Sequence, residues 1–204
     1  MIWPSLCVDN FFDNPEKVVK FSNTLKYTPY GGNEVPHFLG QRSENIQKIN
    51  AEFFEVTTRK ILSLLYPTES TNLLWGAAQY FQKIPANCKD SPWVHTDHEF
   101  EFTTIIYLSP ETEWGTIIFE PKECYGYFKN NMKDNNSGFK ESIKFNSKFN
   151  RFIMFDGANY HAQIPFINKD KTKERLTLIT FFSDVRFLEN KRLNKPITTM
   201  RRIR

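Results

Sequence analysis

Only three of the 204 residues are cysteine, Cys7, Cys88 and Cys124. An odd, widely spaced set of this kind excludes a disulfide framework and any paired-cysteine zinc site. Long apolar runs are missing as well. No segment approaches the roughly 20 residues that a membrane span requires. The opening stretch Met1-Ile2-Trp3-Pro4-Ser5-Leu6-Cys7 carries neither a basic start nor an apolar run of secretory length. The expectation is a soluble protein of the reducing cytoplasm, with no membrane partner.

An excess of one charge sign is absent from most of the chain. The formal net charge is +4, but residues 189–204 carry Lys191, Arg192, Lys195, Arg201, Arg202 and Arg204 against Glu189, a local +5, so the first 188 residues stand at −1. Basicity is therefore a property of the C-terminal tail. A solvated tail accounts for it, and nucleic acid is not an expected partner.

What is present is enough apolar material, 40% hydrophobic and 16% aromatic, for one well-buried core and too little length for two. Asp13 or Asn14 can cap a helix with Pro15 in its first turn and Val18, Val19 and Phe21 along it. Ser43 can open a longer helix ending before Pro67, with Ile46, Ile49, Phe53, Val56, Leu62 and Leu65 near a 3.6-residue period. From residue 73 the pattern changes to short apolar or alternating runs at 73–82, 102–108, 115–119, 151–155 and 175–183, separated by Pro, Gly, Asn and Asp clusters. Many short strands with no helices between them predict a mainly β fold, a sandwich or jelly roll with flanking N-terminal helices. The chain divides into helical support over 1–70, a β core over 71–188 and the basic tail over 189–204. A polar, Lys- and Asn-rich insertion is expected over 121–149.

The chemistry sits in a few positions of the β region. In a strand, residues i and i+2 share a face, so His95 and Asp97 can project together while Thr96 points away. Alone, this triplet equally describes a histidine steadied by an aspartate in a turn. His161 adds to it, because it follows the apolar strand Phe152-Ile153-Met154-Phe155 and a turn at Asp156-Gly157, where a returning strand begins. Two imidazoles and a carboxylate form the donor set that holds non-heme Fe(II) on one face and leaves coordination positions open. Arg175 starts an otherwise apolar strand, with Thr177 on the same face. A guanidinium turned inward there needs an anionic partner, and a carboxylate suits it; turned outward, it simply meets solvent.

Taken in order, these residues resemble the 2-oxoglutarate and Fe(II)-dependent oxygenases, and within them the prolyl-hydroxylase-like group. The resemblance runs over about residues 73–183: Tyr80, His95-Thr96-Asp97, Ile106-Tyr107-Leu108-Ser109, Trp114-Gly115-Thr116-Ile117-Ile118-Phe119, Phe155-Asp156-Gly157, His161 and Arg175-Leu176-Thr177. It implies a double-stranded β-helix, the cupin-like jelly roll. It implies His95, Asp97 and His161 as iron ligands, with Arg175 pairing the distal carboxylate of 2-oxoglutarate and Thr177 supplying the accompanying hydroxyl. Tyr107 matches the tyrosine that hydrogen-bonds the same carboxylate, and Tyr80 matches a pocket tyrosine. In this chain Trp114-Gly115 stands where the family usually has paired glycines.

The implied reaction is hydroxylation of a C–H bond coupled to decarboxylation of 2-oxoglutarate to succinate, using Fe(II) and O2, with ascorbate as an admissible accessory. The substrate, peptide or small molecule, is unspecified; by analogy a prolyl or other amino-acid side chain comes first. No general base is needed, so His98, Glu99 and Glu101 are read as turn or surface residues, and His37 as no ligand. Trp93, Trp114, Tyr125, Tyr127 and Phe128 can flank the mouth. The segments around Gly31-Gly32-Asn33 and 121–149 can recognise substrate. The alternative reading is a non-catalytic jelly-roll module that binds metal or serves structure. A zinc or nickel cupin enzyme is disfavoured, because such sites carry more histidine than this chain has to spare.

Overall fold

The computed structural model describes residues 3–29, 40–85, 94–110, 114–122, 138–164 and 174–188. Short strand β1 (Leu6–Val8) leads into helix α1 (Pro15–Asn23), and strands β2 (Tyr27–Pro29) and β3 (Gln41–Ser43) precede helices α2 (Ile46–Ile49) and α3 (Ala51–Leu65). A single 3₁₀ turn, Ser70–Asn72, enters the long strand β4 (Leu73–Pro85). The core then follows as β5 (Phe102–Tyr107), β6 (Gly115–Pro121), β7 (Phe139–Asn146), β8 (Arg151–Asp156), β9 (Tyr160–Gln163) and β10 (Glu174–Phe187).

Two antiparallel sheets form, a seven-stranded one in the order β1-β8-β5-β10-β4-β3-β2 and a three-stranded one in the order β7-β6-β9. This is a jelly roll with helices laid on its outer side. The three central strands β5, β8 and β10 are buried on both faces. Their sequences show why, since both alternating sets of side chains are mostly apolar, with Asp156 and Arg175 as buried charged exceptions. One set, Phe102, Ile106, Phe152, Met154, Leu178 and Phe182, packs with Phe54, Ile61, Leu62 and Leu65 of α3. Each such side chain contributes about 1.5–3 kcal/mol on burial. The other set, Ile105, Tyr107, Ile153, Phe155, Ile179 and Phe181, meets Ile118 and Phe145 of the small sheet. The second face is the interior that carries the site.

Helix boundaries follow local chemistry. The Asn14 side chain accepts from the Lys17 backbone N–H with Pro15 opening α1, as read from the sequence. The longer helix begins later than expected: Ser43 belongs to β3, Asn45 caps α2, and Asn50 interrupts it and caps α3 through the Phe53 N–H. The buried stripe of α3 also differs, since Val56 is 62% exposed and Thr57, Thr58 and Ile61 face inward. The Thr58 hydroxyl satisfies itself on the Phe54 carbonyl, which lets a polar residue occupy a core position.

The insertion expected over 121–149 is corrected in part. Residues 139–146 form β7, paired antiparallel with β6, and the alternating Phe139, Ile143 and Phe145 supply its apolar contacts. Lys140, Glu141 and Lys144 between them hid a half-buried strand behind a polar composition. Residues 123–137 lie outside the described residues, as does the basic tail. The three short strands β1, β2 and β3, absent from the helical reading of 1–70, extend the large sheet at its two edges.

Candidate active site

His95 and His161 are brought together by backbone pairing. The His95 N–H donates to the His161 carbonyl at 3.0 Å and the His161 N–H returns to the His95 carbonyl at 2.8 Å. The two imidazole centroids stand 4.3 Å apart. Asp97 closes the group: its Oδ1 lies 3.9 Å from His95 Nε2 and its Oδ2 lies 3.5 Å from His161 Nε2. One donor atom from each residue falls within 4.8 Å of the other two, an arrangement that could hold a metal ion.

Surrounding groups set the state of these donors. The His161 Nδ1 contacts the Asn159 carbonyl at 3.0 Å, and a carbonyl cannot donate, so Nδ1 carries the hydrogen and Nε2 keeps its lone pair toward Asp97. Burial pushes the His161 imidazole down to about 4, the neighbouring His95 pushes the same way, and Asp97 opposes them. The ring is therefore neutral and available as a ligand at physiological pH. Thr103 donates to Asp97 Oδ2 at 2.6 Å and orients the carboxylate.

The loop joining the clip to β5 depends on Gly157. A Cβ at this position would overlap the Phe100 carbonyl oxygen and come within 2.7 Å of the Asp97 carbonyl oxygen, so the β8–β9 turn can lie against the clip only without a side chain. Asp156 fixes the same turn through the Ala158 N–H and also accepts the Trp3 N–H at 2.6 Å.

Further along the same interior, Arg175 is 4% exposed. One Nη donates to Gln163 Oε1 at 3.3 Å, while the Nε is buried with no hydrogen-bond partner among the described residues. The guanidinium lies 5.5 Å from the centroid of the Tyr107 ring. Burial pulls its pKa below the ordinary value, with Tyr107 opposing, yet a guanidinium stays protonated. A buried cation with an orphaned donor is the environment an enclosed carboxylate would complete.

Thr177 and Tyr107, each 1% exposed, sit opposite one another in the β10–β5 register. The Tyr107 hydroxyl is 2.8 Å from Thr116 Oγ1, joining the two sheets, and burial pushes the phenol up. Tyr80 lies on the same face, opposite Ile179 and half-buried.

Other expected positions fall elsewhere. Trp114 is 2% exposed and belongs to the interior, not the mouth. Glu101 accepts from the Trp3 indole at 2.7 Å, His98 meets the Thr96 hydroxyl at 3.3 Å, and both His98 and Glu99 are exposed. His37, Trp93, Tyr125, Tyr127, Phe128 and residues 31–33 lie outside the described residues. Sequence reading missed Gln163, Thr103 and Thr116. Gln163 was available from the period-2 rule, being two residues from His161 on the same strand.

The architecture is the jelly-roll fold seen in solved 2-oxoglutarate and Fe(II)-dependent oxygenases. Among solved structures it is similar to the non-heme α-ketoglutarate-dependent epimerase SnoN from nogalamycin biosynthesis, at 11% identity and a TM-score of 0.62, covering 96% of this chain and 89% of that one. HygX from Streptomyces hygroscopicus, crystallised with nickel and 2-oxoglutarate, matches at 9% identity and a TM-score of 0.60 over 88% of this chain and 82% of its own. A Pseudomonas putida prolyl-4-hydroxylase matches at 11% identity and a TM-score of 0.56, over 88% and 92%. No family profile and no curated protein matches the sequence. The described residues contain no helix long and apolar enough to cross a membrane.

Proposed function

We propose that this chain is a single-domain Fe(II)- and 2-oxoglutarate-dependent oxygenase that hydroxylates a C–H bond of its substrate. The observation that carries the reading is Arg175: a buried guanidinium with an orphaned Nε, on the interior face shared with a two-histidine, one-carboxylate cluster. In this reading His95, Asp97 and His161 hold Fe(II), which when loaded supplies open positions for the 2-oxo acid and O2. Arg175 pairs with the distal carboxylate of 2-oxoglutarate, and Thr177 lines that end. Tyr107 can turn its hydroxyl from Thr116 to the same carboxylate, and Tyr80 bounds the space from β4. The apolar walls, Ile105, Ile153, Phe155 and Ile179, exclude water from the reacting groups.

The balance is one 2-oxoglutarate, one O2 and one C–H going to succinate, CO2 and one C–OH. An amino-acid side chain, prolyl first, remains the proposed substrate, supported by the likeness to a prolyl-4-hydroxylase. Because SnoN is described as an epimerase, hydroxylation is tested by product mass, a gain of one oxygen atom. The decisive assay is succinate release from 2-oxoglutarate with Fe(II) and O2. Turnover that depends on Fe(II) and is abolished by His95→Ala and by Arg175→Ala supports the reading. Absence of turnover and of 2-oxoglutarate binding leaves the non-catalytic module.

A further inference from the structure

Arg175 is mounted at both ends. The Ser109 hydroxyl donates to the Glu174 carbonyl at 3.1 Å and accepts the Leu176 N–H at 2.6 Å, so one side chain fixes the backbone on either side of residue 175. The Leu108 N–H adds a bond to the Leu176 carbonyl at 3.0 Å. At the far end of the side chain, Gln163 Oε1 accepts from an Arg175 Nη at 3.3 Å, and the centroid of the Tyr107 ring lies 5.5 Å from the guanidinium carbon. Ser109 fixes where the arginine starts, and Gln163 fixes where it ends.

Gln163 has a defined place on the small sheet. It is two residues beyond His161 on β9, so the two share the interior face, and it lies opposite Thr116 on β6, whose hydroxyl meets that of Tyr107 at 2.8 Å. One row of the small sheet thus touches both Arg175 and Tyr107. Along β9 only two residues of strand, about 7 Å, separate a candidate metal donor from the support of the guanidinium. The chemistry of that support matters too. A neutral amide carbonyl satisfies one N–H without cancelling the charge, whereas a carboxylate in its place would form an internal ion pair and compete with an incoming anion. An arginine side chain carries much rotamer freedom, and ordering its fork before the ligand arrives removes that cost from binding.

We propose that Gln163 is a positioning residue that acts through Arg175, holding the fork for the distal carboxylate and setting the preference for a diacid over a monoacid 2-oxo co-substrate. The assignment rests on the oxygenase reading and adds to it the residue that orients the anchor. Because the amide leaves the guanidinium charged, the orientation it imposes favours only a ligand with a second carboxylate.

The test uses the full chain loaded with Ni(II), titrated calorimetrically with 2-oxoglutarate and with 2-oxopentanoate, which has the same carbon chain and no distal carboxylate. The unaltered protein is expected to prefer the diacid about tenfold or more. In Gln163→Leu that ratio should fall about fivefold, through weaker 2-oxoglutarate binding alone, with Ni(II) and 2-oxopentanoate binding unchanged. Gln163→Glu, which supplies a competing carboxylate, should bring the ratio to about one. A ratio that keeps its original value in either variant overturns the assignment. So does a parallel loss for both acids in Gln163→Leu, the mark of a merely structural role. Should Gln163→Leu not fold, Gln163→Glu decides alone. Equal binding of the two acids by the unaltered protein would remove Arg175 from the co-substrate, and failure to bind either would overturn the oxygenase reading itself; this assignment falls with both.

Discussion

The Thr103 hydroxyl on β5 donates at 2.6 Å to the same Asp97 oxygen that stands 3.5 Å from His161 Nε2. A strand in the rigid centre of the large sheet thereby aims a carboxylate carried on a loop. Donors of this kind hold a ligand's angle against the entropy of a free side chain. Thr103→Val keeps the shape and removes the donor. Its expected effect is a loss of about 10- to 100-fold in metal affinity, with little change in thermal midpoint, checked by titrating Mn(II) or Ni(II) into the metal-free protein.

Arg175 is a buried cation whose Nε has no partner among the described residues, which costs stability until an anion arrives. Arg175→Met fills similar volume without charge. Without 2-oxoglutarate its thermal midpoint should equal or exceed that of the original protein. With Ni(II) and 2-oxoglutarate at about 100 times Kd, the original protein gains about 2.7 kcal/mol, a rise of about 5–10 °C at this chain length. The variant should gain none of the part due to 2-oxoglutarate. A shift of equal size in both proteins would remove Arg175 from the site.

His161 carries a pKa pushed down to about 4 from an ordinary 6.5, by burial first and by His95 second. The folded state therefore resists taking up a proton that the unfolded chain accepts. Stability from this source is complete above about 6.5 and is lost as pH falls toward about 4, so it rises with pH across that window. Denaturant midpoints of the metal-free protein from pH 4 to 7 should show this slope, and His161→Gln should flatten it. A slope unchanged in His161→Gln would assign it to other groups.

Gly157 allows the β8–β9 turn to lie against the carbonyls of Asp97 and Phe100. Both obstacles are backbone atoms, so an added methyl cannot be met by a rotamer change. Gly157→Ala is expected to destabilise by about 1–3 kcal/mol and to weaken metal binding beyond what Thr103→Val does, since the whole loop moves. A crystal structure or a metal titration unchanged by the substitution would contradict this.

How far the site could be read from the chain differs by residue. His95 and Asp97 are two apart, a spacing that shares a face on extended backbone, although the structure holds His95 by an isolated bridge and carries Asp97 on a loop. Arg175 and Thr177 are related in the same way, and Gln163 could have been paired with His161 by the same rule. Thr103 offered no such signal. A threonine in an apolar strand looks ordinary until the fold sets it beside Asp97. The fold was similarly uneven. Apolar alternation disclosed β4, β5, β8 and β10, whereas β7 was hidden by its lysines and β1, β2 and β3 by their brevity.

Local order in the chain determined which side chains could act: periodicity of two, an asparagine before a proline, a glycine at a turn. These are short-range properties, decided by backbone geometry within a few residues. Tertiary structure alone decided that His161 pairs backbone to backbone with His95, and that Arg175, Gln163 and Tyr107 meet from three strands. Such meetings join positions tens of residues apart. They depend on sheet order and register, which are set by the packing of both faces of the large sheet at once and are encoded in no local stretch of residues.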